Sequence, residues 1–250
     1  MGDSRVNYAE DAGLALVTLA DSERGNRINA ARLEALHEAF DRAEAAAGVR
    51  AIVLRANGPR FCLGMDFSFF LGQVAGDVDA HDAVADYAGL LVRMRQSPKP
   101  VIALVDGEVK AGGIGIVAAS DVVIASERTT FQLSEVYLGL IPANVLPFLI
   151  ERIGARRATV LTLTAKTLSA DAAQAIGLVD EVHSADALEK ETRAFFKNLM
   201  RTAPHALAET KRLVAEIGDL SPEAALPATA RSLLGLAARE DVRDAIASFE

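Results

Sequence analysis

The sequence predicts an α/β chain: strand and helix signals alternate through the first half, and a helical region closes it. Three observations carry this. Short runs rich in Val, Ile and Leu recur at Leu14–Ala20, Arg50–Ala56, Pro100–Asp106 and Asp121–Ala125, and their length and composition suit buried strands. Between the first two lies a stretch of helical periodicity, Asn29–Ala47. After about residue 143 the strand signals nearly vanish. Repeated β-β-α units of this kind suggest stacked turns with parallel pairing rather than a sandwich.

Within Asn29–Ala47, Leu33, Leu36 and Phe40 recur at helical spacing, with Asn29 as the expected cap and Gly48 as the stop. Gly72–Ala83, GQVAGDVDAHDA, has two glycines, three aspartates and little periodicity, and reads as a mobile loop. Ser169–Gly177 reads as a short capped helix and Ser184–Arg201 as a longer one, with further helices after Pro204 and Ser221.

Composition bounds the function. At 250 residues with 51% hydrophobic and 24% charged residues, the chain can bury a sizeable core. A net charge of −8 argues against nucleic acid as a partner. Cys62 is the single cysteine, which rules out an intramolecular disulfide and fits a reducing cytoplasm. No apolar run is long enough to span a membrane, and MGDSRVNYAEDAG lacks the apolar centre of a signal peptide. His37, His81, His183 and His205 are scattered without metal-ligand spacing. No phosphate-binding loop or nucleophile elbow is present.

The chemistry is carried by three phrases in fixed order: Phe61-Cys62-Leu63-Gly64-Met65-Asp66, Ala111-Gly112-Gly113 opening a helix, and Phe131-Gln132-Leu133-Ser134-Glu135. A thioester enolate needs two convergent N–H donors about 2.7–3.1 Å from the oxyanion, and backbone amides supply them without reorganisation. Each phrase alone is weak. Together they resemble the crotonase (enoyl-CoA hydratase/isomerase) superfamily.

That resemblance implies a crotonase (ClpP-like) spiral of β-β-α units over residues 1–195 and a helical oligomerisation region over 196–250, packing as a homotrimer or hexamer. It implies an oxyanion hole made by the N–H groups of Leu63 and Gly112, the latter at a helix N-terminus whose dipole adds to it. Leu63 is bulkier than the family's usual residue and should narrow the acyl pocket. Hydratases of the family use two glutamates. Here Gly115 stands at the first position and Glu135 at the second, so the pair is reduced to one. A single carboxylate suits isomerisation or elimination better than reversible water addition. Its place between apolar Leu133 and Val136–Tyr137 suggests burial and a raised pKa. Asp66 is the second catalytic candidate, a partner of Glu135 or a helix cap. Phe67 and Asn144 are expected in the substrate pocket, Lys110 as a solvated or ion-paired side chain, and Cys62 as packing. No metal and no cofactor beyond the carrier of the thioester is implied.

Ser134–Phe148, SEVYLGLIPANVLPF, resembles the wording of one branch: dehydratases of polyketide β-branching cassettes, which act on 3-hydroxy-3-methylglutaryl groups held by acyl carrier protein. The decarboxylase of such cassettes fits less well, since Phe67–Leu71 lacks its lysine. The expected reaction is loss of water to give the 3-methylglutaconyl thioester. A CoA-linked enoyl hydratase or isomerase is the enzymatic alternative, and a non-catalytic scaffold the alternative of another class.

Overall fold

The computed structural model describes residues 5–66 and 80–248. By contacts the chain divides into two compact units, Met1–Met200 and Arg201–Glu250.

In the first unit, strands β1 (Val6–Asp11) and β2 (Leu14–Leu19) form a hairpin, followed by helix α1 (Ala30–Ala45). Two strands then alternate with each helix. Strands β3 (Ala51–Ala56) and β4 (Arg60–Cys62) precede α2 (Ala80–Gln96), and β5 (Val101–Val105) and β6 (Glu108–Lys110) precede α3 (Gly112–Ala119). Strands β7 (Val122–Ser126) and β8 (Thr130–Gln132) precede α4 (Leu146–Ile153) and α5 (Ala155–Thr164). Strand β9 (Leu168–Ser169), α6 (Ala170–Ala175), β10 (Glu181–His183) and α7 (Leu188–Leu199) complete the unit.

From β3 to β8 the first strand of each pair joins a six-stranded sheet, β1-β2-β3-β5-β7-β10, and the second a four-stranded one, β4-β6-β8-β9. Strands β1 and β2 both lie in the larger sheet, and β9 and β10 enter in the reverse order. Pairing is parallel from β2 to β10, for example Leu16 to Val53 and Val53 to Ile102. This is the expected spiral of β-β-α units. Its strands read as continuous apolar runs because both faces of the large sheet are covered. Ile52 and Leu54 pack with Leu33, Leu36, Phe40 and Leu90 on one face. Ala51 and Val53, of opposite parity, meet Leu188, Phe195 and Phe196 of α7 on the other. Fully burying a side chain such as Phe40 contributes about 1.5–3 kcal/mol.

Asn29 caps α1 as expected, its side chain accepting from Arg32 N–H, but the helix ends at Ala45, before Gly48. Ser169 caps α6. The expected loop Gly72–Ala83 falls largely outside the described residues, and from Ala80 the backbone is already the helix α2. Helix α3 opens on Ala111, whose φ of 49° and ψ of −126° lie outside the favoured regions for an L-residue.

The second unit holds α8 (Pro204–Ile217), α9 (Pro222–Ala237) and α10 (Glu240–Ala247). Pro204 stands in the first turn of α8, and Ser221 caps α9 through Ala224 N–H. Arg212 on α8 bonds Glu209, Glu216 and Ser232. Glu209 and Glu216 lie on α8 itself, and such surface ion pairs add little stability, while the hydrogen bond to the buried Ser232 reaches across to α9. Among the described residues, no helix is long and apolar enough to cross a membrane.

Candidate active site

Strand β4 carries the chain into the loop after Cys62, and hydrogen bonds to the segment before α1 hold that loop. Leu63 N–H donates to Gly25 O at 2.9 Å, Ile28 N–H to Gly64 O at 2.8 Å, and Asp66 N–H to Ile28 O at 2.8 Å. This corrects the expected oxyanion hole. The Leu63 amide is committed to a backbone carbonyl and is not available to a substrate. Two positions on, Met65 N–H has no acceptor among the described residues, because the pairing with Ile28 engages its neighbours on either side.

Gly64 brings this loop against the start of α3. Its φ is +82°, and a Cβ there would lie 2.9 Å from Gly112 N and 2.7 Å from Ala111 Cβ. Only glycine allows both the conformation and the approach. Gly112 N–H, at the first turn of α3, likewise has no acceptor among the described residues.

Met65 and Gly112 both line a cavity of about 540 Å³, together with Leu63, Tyr87, Glu135 and Val145. Most of the remaining wall is apolar, including Val84, Leu138, Leu140 and Ile141, with Arg27 and Lys110 as its cations. Lys110 pairs with Glu108 at 3.2 Å, the ion-paired role expected of it.

Glu135 opens a 3-10 turn, Glu135–Leu138, directly after β8. Its Oε2 is buried without a hydrogen-bond partner. Burial pushes its pKa above the ordinary carboxylate range, while bonds from its own N–H and that of Ser134 pull partly the other way. A carboxylate so placed holds a proton more tightly than an ordinary glutamate, which suits taking one from a substrate and giving it back.

Of the residues singled out from sequence, Glu135, Leu63, Gly112 and Asn144 converge on this cavity. Asn144 donates to Val84 O at 2.8 Å, tying the rim after Pro142 to α2. Asp66 is not among the described residues lining the cavity, and its N–H closes the bridge to Ile28. Phe67 lies outside the described residues. Cys62 is fully buried, and burial pushes its thiol up to about 11, far from a nucleophile at neutral pH. Sequence reasoning missed Met65 and Tyr87. The second was within reach, because Tyr87, Leu90, Leu91 and Met94 follow helical spacing and are all buried.

A spiral of β-β-α units that gathers two backbone N–H groups and a buried carboxylate around one cavity defines a class of thioester enzymes. The family model for enoyl-CoA hydratase/isomerase matches residues 9–250, and the chain belongs to that family. It is an enzyme of the family's hydro-lyase type, which sets aside the non-catalytic scaffold. The chain is 30% identical over 212 residues to the bacillaene synthase dehydratase PksH of Bacillus subtilis, with 80% of this chain and 82% of the relative covered. It is 32% identical over 217 residues to the trans-2-decenoyl-acyl-carrier-protein isomerase of Streptococcus mutans, with 86% and 82% covered. Among solved structures, Pseudomonas aeruginosa AtuE superposes with a TM-score of 0.92 at 30% identity, with 98% of this chain and 96% of that one covered.

Proposed function

We propose that the enzyme eliminates water from a 3-hydroxyacyl thioester, with Glu135 as its one acid–base group. The observation that carries this is the partnerless buried oxygen of Glu135 on the same cavity wall system as the unclaimed N–H groups of Met65 and Gly112. The thioester oxygen sits between those two donors. The Glu135 carboxylate removes the α-proton, and the electron pair moves into the enolate. The enolate then collapses, the C–O bond at the β-carbon breaks, and the Glu135 carboxylic acid returns the same proton to the departing hydroxyl. Water and an enoyl thioester result, and the carboxylate is restored. One carboxylate suffices because it serves both carbons in turn.

The apolar lining favours a hydrocarbon acyl group, and membership of the enoyl-CoA hydratase/isomerase family supports CoA as its carrier. A panel of 3-hydroxyacyl-CoA and enoyl-CoA substrates tests this. Turnover that rises with apolar chain length supports it, and no turnover across the panel overturns it.

The second reading is the β-branching dehydratase, acting on 3-hydroxy-3-methylglutaryl-acyl carrier protein. The similarity to PksH favours it, as does the reduction of the acid–base pair to Glu135. In this reading Arg27 or Lys110, both on the cavity wall, meets the distal carboxylate. Comparing kcat/KM for the carrier-bound and CoA-bound 3-hydroxy-3-methylglutaryl groups separates the two readings. Self-association belongs to the proposal as well. Leu226, Leu233 and Leu234 of α9 are each more than 60% exposed, at 64%, 69% and 68%, and a homotrimer or hexamer would cover such a face.

A further inference from the structure

Helix α3 presents no side chain to the cavity at position 115, and the structure shows what fills that space. A Cβ built on Gly115 would collide with the Tyr87 hydroxyl oxygen, and would lie 3.0 Å from Leu91 Cδ1 and 3.2 Å from Val145 Cγ2. Tyr87 reaches in from α2, its ring buried among the core residues and its hydroxyl donating to Gly112 O. The same hydroxyl lies 3.4 Å from a Cβ built on Gly112. Tyr87 also lines the cavity that holds Glu135. Any larger residue at 115 must therefore displace the tyrosine, so the two positions are alternatives for one volume.

We propose that Tyr87 is the second polar group of the catalytic cavity, occupying the volume of a side chain at position 115 and orienting the β-oxygen of the substrate toward Glu135. The proton of its hydroxyl is committed to Gly112 O, so what remains for a ligand is a lone pair. A β-hydroxyl that donates to this oxygen turns its own lone pair toward the Glu135 carboxylic acid, which is the geometry needed to protonate it as it leaves. A phenol in this position orients without acting as a base. Burial pushes the Tyr87 pKa well up, with Cys62 and Glu135 adding to it, which keeps the group neutral. The inference rests on the enolate reading above and adds to it the group that serves the β-carbon.

The test uses the full chain with butyryl and 3-hydroxybutyryl thioesters, each offered on CoA and on acyl carrier protein. Exchange of the butyryl α-protons in D₂O reports enolate formation alone, because this substrate has no β-oxygen. Dehydration of the 3-hydroxybutyryl group reports both carbons. Tyr87→Phe should lose about tenfold more in dehydration than in α-exchange, the worth of one hydrogen bond to the β-oxygen. Tyr87→Ala/Gly115→Glu should regain dehydration over Tyr87→Ala, since a carboxylate then stands in the vacated volume. For packing alone, Gly115→Ala should lower the melting temperature and Tyr87→Phe/Gly115→Ala should recover it. Equal losses in both reactions for Tyr87→Phe, or a Gly115→Ala variant as stable as the unaltered enzyme, overturn the role of Tyr87. Failure of the unaltered enzyme to exchange α-protons on either carrier overturns the enolate reading itself, a result distinct from the other two.

Discussion

Leu63 gives its backbone N–H to the carbonyl of Gly25 at 2.9 Å, while the N–H of Met65, two residues later on the same loop and on the cavity wall, has no acceptor among the described residues. The proposed oxyanion site therefore depends on the amide of residue 65 and not on that of residue 63. Replacing the amide N–H of residue 65 by an ester oxygen should lower the rate by roughly 10²–10³-fold, the usual cost of one oxyanion donor. The same replacement at residue 63 should cost about 1 kcal/mol of stability and leave turnover nearly intact. Paired melting curves and rates for the two esters check this. A reversed pattern would return the donor to Leu63.

Glu135→Gln should fold and lose roughly 10²–10⁴-fold in rate, since an amide cannot take the α-proton. The pH profile carries a second signature. Burial holds the Glu135 pKa above its ordinary 4.5. As the base must be ionised, activity should rise with pH through that raised value and not through the ordinary carboxylate range. An acid limb at the unperturbed value would contradict the burial of Oε2.

Asp66→Asn should retain most of the activity. The backbone N–H of Asp66 closes the bridge to Ile28, and Asp66 is absent from the described cavity wall. An amide side chain still accepts hydrogen bonds, so a structural role survives the exchange. Steady-state rates and melting temperatures decide the matter: loss of rate by orders of magnitude at unchanged stability would restore Asp66 as a proton carrier.

Much of the fold is legible in the sequence because its large sheet is covered on both faces. Strands β2, β3, β5 and β7 are continuous apolar runs and could be read directly. Strands β4, β6 and β8 have three residues each, too short for periodicity to show, although they lead into the loop after Cys62, the start of α3 and Glu135. Glu135 and Gly112 were found through motif order. Which amide of the Cys62–Asp66 loop remains free is set by pairing with Gly25 and Ile28, a tertiary contact that no local phrase encodes. Tyr87 escaped for a different reason. Its helical spacing is clear, but its closeness to Gly115 arises only when α2 packs beside α3.

The last prediction concerns stability, where the sign follows from the buried carboxylate. In the unfolded chain Glu135 titrates as an ordinary glutamate, and in the folded chain its pKa is raised, chiefly by burial. The folded state therefore binds the proton more tightly than the unfolded state does. Stability from this group is fully present below the unfolded pKa and is lost as pH rises through the folded one. Above that value the fold carries a desolvated charge with an unpartnered oxygen. Glu135→Gln removes the charge, so its advantage in melting temperature over the unaltered enzyme should grow from acid to neutral pH and then level off. Measuring both proteins from pH 4 to pH 8 checks the trend. A difference that does not change with pH would mean that Glu135 is solvated in the folded state, and the proton-transfer role argued from its burial would lose its physical basis.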